Sequence, residues 1–503
     1  MSRTKSFLYN SVSSAILQLV TMLGGFILPR VMLVAYGSEI NGLVSSVTQF
    51  LAYFTLVEAG ISGAAVYALY RPLAQKDCKE ISGVIVAARK FYNQSGALFV
   101  ALTVLLAIGY PFYIRSSVIG AGEIAFLVLI LGVNGALEFF TMAKYRVLLT
   151  ADQKTYVLSV ASTVHIALNT LIVIILAHYK VDVVLLKLIA LFSIFLRSLI
   201  LHLYCRKKYS YINYREEPNH TALRQRWDAL YLQILGAIQN GFPIIVLTLM
   251  LKDLKQVSVY AVYSMLISGI SGILNIFISG LAASFGDIIA KREQEILKKS
   301  YKEFEYIYYI LITIVYAVTF ITIMPFVFLY TQDITDVDYN IPIIGFLFVL
   351  NGLLYSIKTP QGMLVISAGL YKETKWQTTI QGLIAIGLSI VLVPYWGITG
   401  VLIGAILSNI YRDIDLLYFI PRKVTETSIM ESGLRMLRIM IGIAISYLPF
   451  LLIPWEIKTF KDWLAYVFVA GTCTFTIVVS INIIFEKQEM RNVLARMKGM
   501  VKQ

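Results

Sequence analysis

The sequence predicts an all-α integral membrane protein: fourteen transmembrane helices, arranged as two parallel-repeat six-helix lobes plus two extra C-terminal helices. Three observations predict it. Of 503 residues 58% are hydrophobic and only 14% charged, with a mean hydropathy of +0.75, whereas soluble domains carry about 25% charged residues. Apolar runs long enough to cross a bilayer recur along nearly the whole chain. Short matches between the halves recur at an almost constant offset. The composition excludes a soluble enzyme, and the recurrence excludes a single anchor on a soluble head. Three cysteines (Cys78, Cys205 and Cys473) without paired spacing suit neither a disulfide framework nor a zinc site, and no cofactor is expected.

A helix needs about 20 apolar residues to cross a hydrocarbon core of about 30 Å. That window places spans at 7–36, 41–69, 95–114, 123–149, 156–179, 181–204, 229–251, 257–290, 306–330, 341–366, 378–395, 398–420, 434–454 and 463–485. The first run is too long, and lacks the small-residue cleavage site, of a signal peptide. It is expected to stay in the membrane.

Lysine and arginine fix the expected orientation, because cationic loops are retained on the cytoplasmic side. Of the 43 Lys and Arg, 34 fall on one set of alternate connections, seven on the other, and Lys187 and Arg197 lie inside a span. One missed span would invert every later loop, so the alternation supports fourteen spans with both termini cytoplasmic. The net charge of +14 is thus topological and gives a nucleic-acid partner no support. Trp227, Trp376, Trp396, Trp455 and Trp463 all fall at span ends, where amphipathic rings belong. The outer connections are short and leave no room for a catalytic domain.

Gly25-Phe26 matches Gly241-Phe242, Pro111-Phe112 matches Pro325-Phe326, and Arg206-Lys207 matches Arg422-Lys423, at offsets of 214 to 216. The first six spans therefore lie over the next six. Six is even, so the two blocks point the same way and their pseudo-two-fold axis follows the membrane normal, with a cavity expected between them at mid-depth. The expected divisions are an N-lobe at 1–208, a C-lobe at 209–425, and the last two helices with a basic tail at 426–503.

The segment Asn41-Gly42-Leu43-Val44-Ser45-Ser46, then Leu56-Val57-Glu58-Ala59-Gly60-Ile61, then Tyr67-Ala68-Leu69-Tyr70-Arg71-Pro72-Leu73-Ala74 resembles the start of bacterial polysaccharide transporters, the O-antigen and repeat-unit flippases. These belong to the multidrug/oligosaccharidyl-lipid/polysaccharide (MOP) exporter superfamily. The 6+6+2 plan is similar to theirs and to that of lipid II flippases. The resemblance implies V-shaped, MATE-like lobes, alternating access, and an undecaprenyl-pyrophosphate-linked oligosaccharide as cargo. It also implies residence in the bacterial inner membrane as a monomer, near a polysaccharide polymerase and chain-length regulator, with the last two helices forming a groove for the lipid tail.

Ionisable side chains inside a membrane cost about 2.5–3.5 kcal/mol each on insertion scales, so they face a cavity or a partner. The candidates for binding an anionic headgroup are Arg197, Arg30, Lys187, Arg412 and Lys358, arginine being suited to bidentate phosphate contacts. Arg197 sits deep and has no carboxylate within a turn. Lys187 and Arg30 can instead snorkel to the surface, Arg412 can be neutralised by Asp415 one turn on, and Lys358 can simply mark a helix end. Glu58 and Glu138 can pair with these cations across helices or carry a coupling proton. His165 is expected to be a packing residue. No phosphate-binding P-loop is present, so ATP is not expected to drive the chain directly.

A flippase for lipid-linked oligosaccharide is the leading reading. A cation-coupled multidrug exporter would be expected to carry a carboxylate in the first or seventh span, and neither has one. A membrane polysaccharide polymerase would need a large outer loop.

Overall fold

The structure, a computed structural model, describes residues 3–58, 61–219, 236, 241–279, 281–452 and 455–491. Among the described residues every regular element is helical, and eleven helices are long and apolar enough to cross a membrane. They begin with α1 (Arg3–Phe54), its 3₁₀ extension Thr55–Glu58, α2 (Ile61–Gln75) and α3 (Cys78–Tyr113). There follow α4 (Ala121–Leu137), a π turn at Glu138–Met142, α5 (Ala143–Ala151), α6 (Thr155–His178) and α7 (Val183–Lys208). A short apolar helix α8 (Gly241–Leu251) leads to α9 (Leu254–Ser279), α10 (Leu281–Ala290) and α11 (Gln294–Thr331). The last are α12 (Pro342–Ile357), α13 (Thr359–Ser367), α14 (Lys375–Ile420) with a π turn Pro421–Thr425, α15 (Ile429–Leu452) and α16 (Phe460–Phe485).

Eleven differs from fourteen because two helices each merge a pair of expected spans and because one expected span falls partly outside the described residues. Both α1 and α14 are two helices run together across one non-helical glycine, Gly37 (φ 80°) and Gly397 (φ 52°), and only a residue without Cβ adopts such backbone readily. The first half of the seventh expected span lies largely outside the described residues, as do Trp227 and the basic tail beyond residue 491. At Gly397 the chain folds straight back. A Cβ on Gly400 would come within 2.7 Å of the Leu392 carbonyl, one on Gly404 within 3.0 Å of the Ala385 oxygen, and the Ser408 hydroxyl donates to the Gln381 carbonyl at 2.8 Å. Gly400 and Gly404 thus let two antiparallel helices touch backbone to backbone, as small residues do in bilayers, where packing replaces the hydrophobic drive.

The chain divides into two compact units, Met1–Ala261 and Val262–Gln503. In the first, α1 changes partner at Gly37. Before it the helix runs parallel to α6, with Asn10 bonded to the Gln153 carbonyl and the Tyr36 hydroxyl to that of Val181. Beyond it the helix runs antiparallel to α3, with Ser46 accepting from Tyr110, Phe54 edge-on to Phe99, and the Val57 carbonyl accepting from Ser95. Leu43, Phe99, Leu127, Val147 and Leu201 form the buried apolar core of this unit, while large apolar side chains such as Leu105 and Phe112 point outward, as lipid contact requires. In the second unit α15 and α16 pack along α11, and the Trp463 indole donates to the Thr322 carbonyl at 3.1 Å.

Two helical runs are interrupted: one at Glu138–Met142, between α4 and α5, and one at Lys358, between α12 and α13.

Candidate functional site

Interrupted helices are a backbone pointer to a transporter's binding site, because freed polar groups need a cavity or a ligand. Each interruption here carries an ionisable node.

In the first unit the node is Glu58, Glu138, Arg146 and Arg197. Arg146 Nη2 reaches Glu58 Oε1 at 2.6 Å and its Nη1 reaches Glu138 Oε1 at 2.9 Å, while Arg197 Nη1 lies 3.3 Å from Glu138 Oε2. The π turn explains why Glu138 and Arg146 meet. Eight residues of regular α-helix would leave them about 80° apart, but the residue a π turn takes up reduces the effective spacing to seven, two full turns, aligning them to within about 20°. Glu58 arrives from the 3₁₀ segment and Arg197 from the middle of α7, and His165 on α6 lies close enough to feel the charges of Arg197 and Glu138.

The four side chains carry no net charge and are 19% to 30% exposed. Arg146 Nε, Arg197 Nε and Glu58 Oε2 make no hydrogen bond. The node thus combines partly exposed side chains with unused donors and an unused acceptor that are themselves buried.

In the second unit Lys358 is buried in the gap between α12 and α13. Its ammonium donates to Asn409 Oδ1 at 2.5 Å and lies over the Tyr355 ring. The Asn409 amide donates in turn to Asn351 at 2.9 Å. Asp413, one turn beyond Asn409, is buried with neither oxygen hydrogen-bonded, and its charge acts on Lys358. Arg412 is bonded to Asp415 at 2.5 Å, within its own helix.

Of the residues read from sequence, Glu58, Glu138 and Arg197 come together, and Lys358 and Arg412 lie near one another. Lys187 stands apart, half-buried in the second turn of α7, with no ion pair or hydrogen bond among the described residues. Arg30 is half-buried in the first half of α1, beside Pro29.

Arg146, one of the 34 basic residues assigned to the alternate connections, has no reading as a site residue from sequence, yet its guanidinium bridges the two carboxylates Glu58 and Glu138. The signal available was two unmatched carboxylates against one deep arginine, an imbalance that needs another cation. A third cluster had no reading at all. Arg435, on α15, donates to Glu305 at 3.0 Å, to Glu486 at 2.8 Å and to Glu431 at 3.2 Å, with Arg435 2% and Glu305 1% exposed. Just beyond α16, burial works against ionisation of Glu486, but hydrogen bonds and charge from Arg435, followed by Arg438, hold its carboxyl below the ordinary glutamate range.

With this geometry established, the fold can be placed: the helices are arranged as in transporters of the MOP superfamily. The chain superposes on the lipid II flippase MurJ in an inward closed conformation with a TM-score of 0.72, at 14% identity, covering 95% of this chain and 99% of that one. An inward-facing multidrug resistance transporter of the MATE family gives 0.65 at 15% identity, over 83% of this chain and 95% of that one. A MOP superfamily transporter from Pyrococcus furiosus, described by a binding pocket of reversed polarity, gives 0.53 at 14% identity over 87% and 96%. No protein-family model and no curated protein sequence matches the chain. At these identities the likeness fixes the fold, not the cargo.

Proposed function

We propose that the chain is a flippase of the MOP type, moving an undecaprenyl-pyrophosphate-linked oligosaccharide from the cytoplasmic to the outer leaflet of a bacterial inner membrane. The observation that carries the reading is the fit to a lipid II flippase over 95% of this chain, against 83% for the MATE transporter. Fourteen spans and cytoplasmic termini, which rest on the alternation of basic loops, and lobes at 1–208 and 209–425, which rest on the sequence repeat, belong to this reading.

The mechanism is alternating access. The headgroup enters between two six-helix lobes from the inner face, cationic side chains hold the diphosphate, the lobes rock, and release follows outside. The lipid tail stays in the bilayer along the last two helices. Lys187, Lys358, Arg30, Arg197 and Arg412 are the proposed cations; of these, Arg197 and Arg412 carry carboxylate partners, so the headgroup must compete for them.

Reconstitution with a fluorescent lipid-linked sugar tests the reading. Transbilayer movement faster than in protein-free vesicles is expected. Its absence, with movement of cationic drugs instead, would favour the exporter.

A further inference from the structure

We infer that Arg146 and Arg197 form a diphosphate-binding pair whose resident occupant is the Glu138 carboxylate, and that cargo binds by displacing Glu138. This deepens the proposed function and rests on it for the identity of the cargo. Three observations carry it.

Glu138 spans the two guanidiniums with its two oxygens, one to each arginine, at 2.9 and 3.3 Å. A planar anion with two acceptor atoms bridging two forks is the arrangement a phosphoryl group would adopt between the same forks, with more acceptors to offer. Both arginines keep an Nε–H without an acceptor, so their donor capacity exceeds what the carboxylates use. A buried unsatisfied donor costs free energy that a better acceptor recovers. Finally, the backbone at Glu138 is the first residue of a π turn. Such a turn is one residue from a regular helix, so shifting it along the helix rotates Glu138 away from Arg146 without unfolding the span.

Glu58 completes the device. It is held by Arg146 through one oxygen while the other lacks a partner, so Arg146 remains anchored when Glu138 leaves. With Glu58 still paired to Arg146, the two guanidiniums released from Glu138 carry one uncompensated positive charge that attracts a diphosphate, whereas the resting node is neutral. Neutrality at rest explains how two arginines are tolerated at membrane depth. It also makes binding reversible, because Glu138 can return and expel the anion.

The test uses the full chain purified in detergent, titrated calorimetrically with geranylgeranyl diphosphate and separately with inorganic pyrophosphate, beside the vesicle assay above. Glu138→Gln removes the competing charge and should tighten diphosphate binding about tenfold or more, while slowing transport through retarded release. Arg197→Gln should weaken binding by a similar factor. Equal shifts for both probes assign the site to the diphosphate itself, and a shift confined to the prenylated probe assigns it to the lipid headgroup in place; either upholds the exchange. Unchanged or weaker binding by folded Glu138→Gln overturns it, even if the wild-type chain moves lipid-linked sugar. Wild-type protein that moves no such lipid, yet shows these shifts, overturns the cargo and leaves the exchange standing.

Discussion

The node around Glu138 and the cluster around Arg435 are built from the same side chains and behave as opposites. Arg435 spends all five of its N–H donors, on Glu486, Glu431, Glu305 and the Lys302 carbonyl, and Glu305 also accepts from Tyr301 and Ser432. Arg146 and Arg197 leave donors unused and stand partly exposed. The first cluster ties α11, α15 and α16 together and offers a ligand nothing. The second is under-satisfied and only partly buried. Saturation and burial, more than the number of charges, separate a structural ion network from an exchangeable one.

That contrast can be broken in order of effect. Arg435→Ala strands Glu305 in the interior and should cost about 3–5 kcal/mol, read as a large fall in folded yield and unfolding temperature in detergent. A mild effect would place Glu305 in contact with water. Glu305→Gln keeps the shape but loses charge-assisted bonds, so a loss of about 1.5–3 kcal/mol is expected by the same measurement. Glu138→Gln uncovers one arginine charge but leaves both guanidiniums partly exposed, so a loss of about 1–2 kcal/mol is expected, while transport slows; a loss as large as that of Arg435→Ala would make the node structural after all. The smallest effect concerns pH. The Glu486 carboxyl is held below its ordinary value in the fold, so its contribution is complete above the unfolded glutamate pKa, about 4.3, and fades as pH falls through the folded value. Comparing melting at neutral and acid pH, the wild type should lose more on acidification than Glu486→Gln.

The spans were legible because each is a long apolar run, and the breaks at residues 36 and 395 fall beside Gly37 and Gly397. Glu58, Glu138 and Arg197 were legible as anomalies, since charge inside an apolar run is visible to any window. Their partners were not. Pairing within a helix follows spacing, and Arg412 with Asp415 could be seen that way, but Arg146 reaches Glu58 and Arg197 reaches Glu138 between helices. The π turn was equally hidden, since Glu138-Phe139-Phe140-Thr141-Met142 has no residue that forbids regular helix. Arg435 and Glu305 escaped notice because both sit at span ends, where charge looks like loop.

The turn at Gly397 also bears on how the protein can be handled. Two helices reverse on a single residue, with backbones in contact within one turn of the bend, so no free polypeptide exists there for a protease to grip or an epitope to join. Reporter tags meant to map sidedness would wedge the hairpin open between Trp396 and Ile398. The stretch Asp333–Asp338, between α11 and α12, is largely exposed and outside any helix, and is the better place for an insertion.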